Sequence, residues 1–269
     1  MSDDTDSERS TKPNPGEGER RAQRGYVPQY DLGAGLIYEA LAAGQLMWVG
    51  VAHRGAGKFD DLVLGLRDRT VAHQVKTSRD PEPFSIRTLL LGASGLFGRM
   101  LEARRKLLTE HPGAVLETVY ACEDYPRNDD RVGGEGSPSS AEFLRAHGRH
   151  RLSWALEDWR RSAFADLIAD LQRSSQLNDH EFEAAWRHAR FITAGQSHFL
   201  GAQARYLGDA RRIADIAALL PRLVADKADK NEWSTAEILA RLGWRDPFRA
   251  RHSHAFPVDA LHQRNVPTQ

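Results

Sequence analysis

Asp61, Gln74 and Lys76 are the residues whose types and spacing carry the most specific chemistry in this chain. A carboxylate, an amide oxygen and an ammonium gathered at one sheet edge suit the metal-assisted hydrolysis of a phosphodiester. The oxygens hold a divalent cation and the ammonium steadies charge on the displaced phosphate. In the stretch 59–78, FDDLVLGLRDRTVAHQVKTS, the apolar runs 62–64 and 71–75 flank Gly65 and the polar Arg67, Asp68 and Arg69. The pattern predicts two short strands joined by a turn. Side chains alternate along a strand, so Gln74 and Lys76 share a face, and closure of the hairpin brings Asp61 to them. The same residues also fit the polar ends of a plain surface hairpin, and spacing alone leaves both readings open.

The elements that must position these residues follow from the rest of the 269-residue sequence. Residues 1–24 are polar and charged, with Pro and Gly, and read as a disordered lead-in without the apolar core of a secretory signal. Pro28 keeps Val27 out of helical geometry and opens a helix over 30–46 that carries Glu39 in its second half. A strand over 47–52, a Gly-rich turn over 53–58 and the hairpin come next. A helix over 94–109 has one apolar side and a basic one, and a strand over 115–122 is followed by a Gly-, Asp- and Pro-rich loop to 140. From 140 to 242 the pattern is helical almost throughout, over 140–147, 153–172, 180–191, 202–225 and 235–242. Asn178 or Asp179, and Ser234 with Glu237, serve as caps. Residues 244–269 show no regular period.

Composition narrows the classes. Lys and Arg together number 37, as do Asp and Glu. This balance argues against coating nucleic acid by bulk electrostatics and leaves room for a local basic groove, of which 99–106 is the best candidate. One cysteine, Cys122, rules out an intramolecular disulfide and a Cys-rich zinc site, and fits a cytoplasmic setting. No run approaches a membrane span. His147 with His150, and His252 and His254 with His262, lack a neighbouring cysteine or a rigidly spaced acid, and read as surface histidines. RGAGK at 54–58 lacks the spacing and the Lys-Ser/Thr end of a phosphate-binding loop.

The order helix, three strands, helix, strand, with the polar set on the second and third strands, is that of the restriction-endonuclease-like core. The sequence resembles the PD-(D/E)xK nuclease domain of CBASS-associated endonucleases and of the N-terminal effector domains of bacterial antiphage STAND NTPases. The matching residues are Gly25-Tyr26 with Gln29, Asp60-Asp61-Leu62, Gln74-Val75-Lys76, then 84–91 and the strand at 115–122. The resemblance spans residues 25–122. It implies that Asp61 binds Mg2+ or Mn2+, that Gln74 fills a slot usually held by an acid, and that Lys76 is the catalytic lysine. Glu39 stands where the first helix sometimes adds an acid, with Gln29 and Asp60 in support.

The implied activity is hydrolysis of DNA, duplex and with little sequence preference, in the cytoplasm of a bacterium defending itself against phage. Homo-oligomerisation would switch it on, and no membrane is involved. Ser234 to Glu237, Leu242-Gly243-Trp244 and His254 to Val258 look like the linker that precedes an NTPase module, so a C-terminal NTPase and sensor are expected in a longer protein. The expected organisation is a tail (1–24), an α/β nuclease core (25–139), a mainly α-helical subdomain (140–243) and a linker (244–269). The competing expectation is a catalytically inactive nuclease fold used for interaction and assembly. The single Asp61 and the neutral Gln74 favour it.

Overall fold

The computed structural model describes residues 17–78, 80–91, 95–193, 210–226 and 231–244. Helix α1 (Glu17–Ala42) starts well before residue 30 and runs through Pro28. A proline removes one main-chain donor from a helix. The Glu, Arg, Ala and Gln residues of 17–23 are good helix formers, and they extend the helix into the stretch expected to be a disordered tail. The inward face of α1, with Ala34, Ile37 and Leu41, is buried.

Strands β1 (Leu46–Val51), β2 (Leu62–Leu66) and β3 (Thr70–Lys76) form an antiparallel meander, with Leu62 opposite His73 and Leu64 opposite Val71. The expected hairpin therefore forms. After β3 the chain passes through β4 (Pro83–Phe84), α2 (Ile86–Leu91) and α3 (Leu96–Glu110) to β5 (Leu116–Cys122). Strand β5 lies parallel to β3, pairing Thr70 with Leu116 through to Lys76 with Cys122. A two-residue β6 (Tyr125–Pro126) pairs with β4.

Four helices follow: α4 (Ser140–His150), α5 (Leu156–Arg161), α6 (Ala165–Ser175) and α7 (Asp179–Arg187). The helix expected over 153–172 is split because Ser162 leaves helical geometry. Its hydroxyl donates to the Trp159 carbonyl and accepts from the Phe164 N–H. The helix expected over 180–191 stops at Arg187, and β7 (Ala189–Ile192) pairs in parallel with β5 instead. Main-chain bonds on an open strand edge outweigh a local helical pattern there. Helix α8 (Ala210–Ala225), β8 (Trp233–Ser234) and α9 (Thr235–Leu242) complete the described chain, and β8 pairs antiparallel with β1. Asn178 and Ser234 each close a capping box, with Glu181 and Glu237.

The result is an α/β fold with a mixed six-stranded sheet in the order β7-β5-β3-β2-β1-β8. Val63, Ala72 and Tyr120 face a core shared with α2 to α7, while Val49, Val51, Leu62 and Leu64 face α1, α8 and α9. Trp159, Trp186 and Trp233 are fully buried anchors of these cores. His147 is not a surface residue. It lies four positions after Phe143 on the inner face of α4 and is enclosed by Trp159, Trp186 and Phe191, which push its imidazole down to about 3 by burial, with Arg151 adding to the effect. His150 stacks on Trp154 at 4.2 Å. Histidines 252, 254 and 262 lie outside the described residues. On β5, the buried Glu117 is met by Arg190 at 3.2 Å, Arg151 at 3.4 Å and Arg69 at 3.6 Å.

Candidate functional site

Asp61 stands immediately before β2, so continuing the β2–β3 register sets it opposite Gln74. Cross-strand neighbours project from the same face, which is why residues thirteen apart in sequence meet here. The Gln74 amide donates to Asp61 Oδ2, and the Val75 N–H donates to the same oxygen at 2.7 Å. Strand β3 outruns its partner at this point: its pairing with β2 ends at His73. Side chains replace the missing strand. Asp61 takes the Val75 N–H, and the Gln29 amide, arriving from α1, donates to the Val75 carbonyl at 3.1 Å. Both main-chain groups of Val75 are thereby satisfied.

Two oxygens remain uncommitted. Asp61 Oδ1 and Gln74 Oε1 accept no hydrogen bond among the described residues, with Asp61 half-buried and Gln74 buried. Lys76, two residues further along the same face of β3, is exposed and has no ion-pair or hydrogen-bond partner among the described residues. Burial pushes the Asp61 carboxyl above the ordinary carboxylate range, and the neighbouring Asp60 adds to this. The Val75 N–H, the Lys76 ammonium and the Gln74 amide oppose it.

Four of the expected residues, Asp61, Gln74, Lys76 and Gln29, converge on the end of β3. Asp60 is adjacent, and its carbonyl accepts the His53 N–H at 2.9 Å. Glu39 sits on α1, half-buried and raised by that burial, and no hydrogen bond or ion pair joins it to the others among the described residues. A mostly apolar pocket of about 230 Å3 opens beside Asp61, between α1, α8 and the strand ends, and is lined by Gln29, Leu36, Val51, Val75 and Leu220. Asp61 also lines it, while Gln74 and Lys76 do not.

Tyr120 and Arg99 belong to the surroundings, and no motif marks Tyr120. The parallel register sets Tyr120 beside Gln74, and burial pushes its phenol up, with Cys122 and Asp124 adding and Arg99 opposing. Arg99, from the basic side of α3, has a buried Nε without a hydrogen-bond partner. The Cys122 thiol next along β5 is pushed up to about 12 by burial and is chemically quiet. No helix among the described residues is long and apolar enough to cross a membrane. Comparison with protein-family models and with curated proteins finds no match to this chain.

Proposed function

We propose that this chain is a divalent-metal-dependent DNA endonuclease built on a restriction-endonuclease-like core, acting as the effector of a bacterial antiphage defence protein. The observation that carries the reading is the meeting of Asp61 and Gln74 across the β2–β3 register, each with a free oxygen, and Lys76 unpaired on the same face. Hard oxygen donors of this kind suit Mg2+ or Mn2+, for which Asp61 Oδ1 and Gln74 Oε1 are the ligands. Such an ion, when bound, supplies neutralisation of phosphate charge and a more acidic water.

The chain's own residues do the rest. The Val75 N–H holds the Asp61 carboxylate in one orientation, and Gln74 braces it from across the hairpin. The free Lys76 ammonium orients a water and stabilises the growing charge on the phosphate. Arg99 adds positive charge near Tyr120, the neighbour of Gln74 on β5. Gln74 brings no charge, so the site holds its ion more weakly than a pair of carboxylates would. Association of several copies, with the NTPase and sensor of a longer protein, raises the effective concentration of these weak sites on DNA.

A second reading has its own support. The Asp61–Val75 hydrogen bond gives Asp61 a sufficient structural task, as expected of an inactive fold serving assembly. Incubation of the full chain with plasmid and Mg2+ or Mn2+ separates the two. Metal-dependent nicking that is lost in Asp61→Asn and Lys76→Ala supports the enzyme. Absence of cleavage by the assembled protein supports the module.

A further inference from the structure

Outside the Asp61 set, four side chains from three distant parts of the chain point at one another. They are His53 after β1, Glu110 and His111 at the end of α3, and Glu232 just before β8, and their ligand atoms all lie within 4.8 Å of one another. We propose that Glu110, His111 and Glu232 bind one divalent transition-metal ion of the zinc class, with His53 as a positioning residue that holds Glu232.

The assignment of roles follows from the hydrogen bonds. His53 Nδ1 accepts the Gly55 N–H at 3.1 Å, so the neutral ring carries its proton on Nε2. That Nε2–H donates to Glu232 Oε1 at 3.1 Å and is not free to ligate. His111 has no such constraint. Its Nε2 lies 2.9 Å from the same Glu232 oxygen, and its Nδ1 has no partner among the described residues. An ion about 2.1 Å from each ligand in a tetrahedral site separates neighbouring ligand atoms by about 3.4 Å. The 2.9 Å between His111 and Glu232 and the 4.8 Å bound on the whole set bracket that value. Carboxylates that ligate such ions are usually held by hydrogen bonds of their own, as His53 holds Glu232.

Charge and packing point the same way. Glu110 and Glu232 have only the two histidines as ionic partners, and no lysine or arginine pairs with either among the described residues. Two convergent carboxylates therefore carry negative charge that a divalent ion would neutralise. The backbone makes room for them. A Cβ on Gly55 would meet Glu110 Oε1 at 2.1 Å, and one on Gly50 would meet His53 Cδ2 at 2.5 Å. The Trp48 indole stacks on His111 at 4.9 Å and fixes its ring. A bound ion would tie the end of α3 to the chain entering β8, which makes this a structural staple and not a second catalytic centre.

The test uses the full chain carrying Asp61→Asn, stripped with chelator and titrated with Zn2+ alone. One Zn2+ bound per chain is expected, with a rise in thermal midpoint and visible absorption bands when Co2+ replaces it. His111→Ala and Glu110→Gln, both at partly exposed positions, should weaken binding at least about 10-fold and abolish the thermal shift, with unchanged far-UV circular dichroism. His53→Gln should lower affinity by about 10- to 100-fold, as loss of an outer partner does. Failure to bind Zn2+ stoichiometrically overturns the proposal. So does equal binding by the parent, His111→Ala and Glu110→Gln, which would mean capture by other histidines.

Discussion

The Asp61 carboxylate accepts the Val75 N–H at 2.7 Å, so the residue we propose as a cation ligand also finishes the end of β3. The two tasks separate by substitution. Asp61→Ala leaves the Val75 N–H unsatisfied and should cost about 1–3 kcal/mol in urea unfolding. Asp61→Asn keeps an acceptor and should stay within about 1 kcal/mol of the parent. Both should lose metal-dependent plasmid nicking. Full activity in Asp61→Asn would leave the strand cap as the residue's only role.

Lys76 gives the cleanest separation of chemistry from stability. It is exposed and unpaired among the described residues, so Lys76→Ala should change unfolding free energy by less than about 0.5 kcal/mol. The nicking rate should fall by about 100-fold or more, as on removal of a donor that stabilises transition-state charge.

Gln74→Glu tests the neutral ligand. It replaces the amide that donates to Asp61 with a second carboxylate facing the first. In chelator the variant should melt below the parent, because like charges meet where residue 74 is buried. Added Mg2+ should restore the midpoint, and the Mg2+ concentration for half-maximal nicking should drop. A variant insensitive to Mg2+ would place the cation elsewhere.

Glu117 is the charge on which Arg69, Arg151 and Arg190 converge. Glu117→Ala removes the carboxylate that Arg151 and Arg190 share and should destabilise the fold by about 3 kcal/mol, measured by denaturant unfolding. A loss below about 1 kcal/mol would mean that solvent already screens the cluster.

His147 makes stability depend on pH. Its folded-state value, about 3, lies below the ordinary imidazole value of 6.5, so the unfolded chain takes up the proton first. The contribution is whole above about pH 6.5 and is lost as pH falls toward the folded value, amounting to about 2 kcal/mol between pH 7 and pH 5. His147→Leu should flatten the stability–pH curve over that interval by close to one proton, whatever its effect at pH 7. An unchanged slope would assign the acid sensitivity to other groups.

Local patterns carried part of this structure plainly. The alternation of 62–76 was enough for the hairpin, and the polar run at 67–69 for its turn. The capping box at Ser234 is readable from four residues, whereas the cap of α7 stays open between Asn178 and Asp179 until the structure picks Asn178. Strand β7 was not, because Ala189–Ile192 is stabilised by a β5 edge some seventy residues earlier and by nothing in its own pattern. His147 reads from sequence as a surface residue because a histidine among Phe and Trp residues looks polar until the helix face is known. At the site, Asp61, Gln74 and Lys76 were marked by strand parity. The tie from Gln29 to Val75, and the pairing of His53 with Glu232, join residues 46 and 179 positions apart and have no spacing signature.

The two-residue strand β8 matters for where this chain can be cut. Trp233 and Ser234 cover the outer side of β1, which otherwise presents unpaired main-chain groups to solvent. Shortening the protein to the segment that holds Asp61, Gln74 and Lys76 would keep those residues and uncover that strand. Such a fragment invites edge-to-edge association between copies and poor solubility. An inactive or aggregated short version would therefore say little about the chemistry at Asp61, and a boundary drawn beyond α9 is the sounder choice for expression.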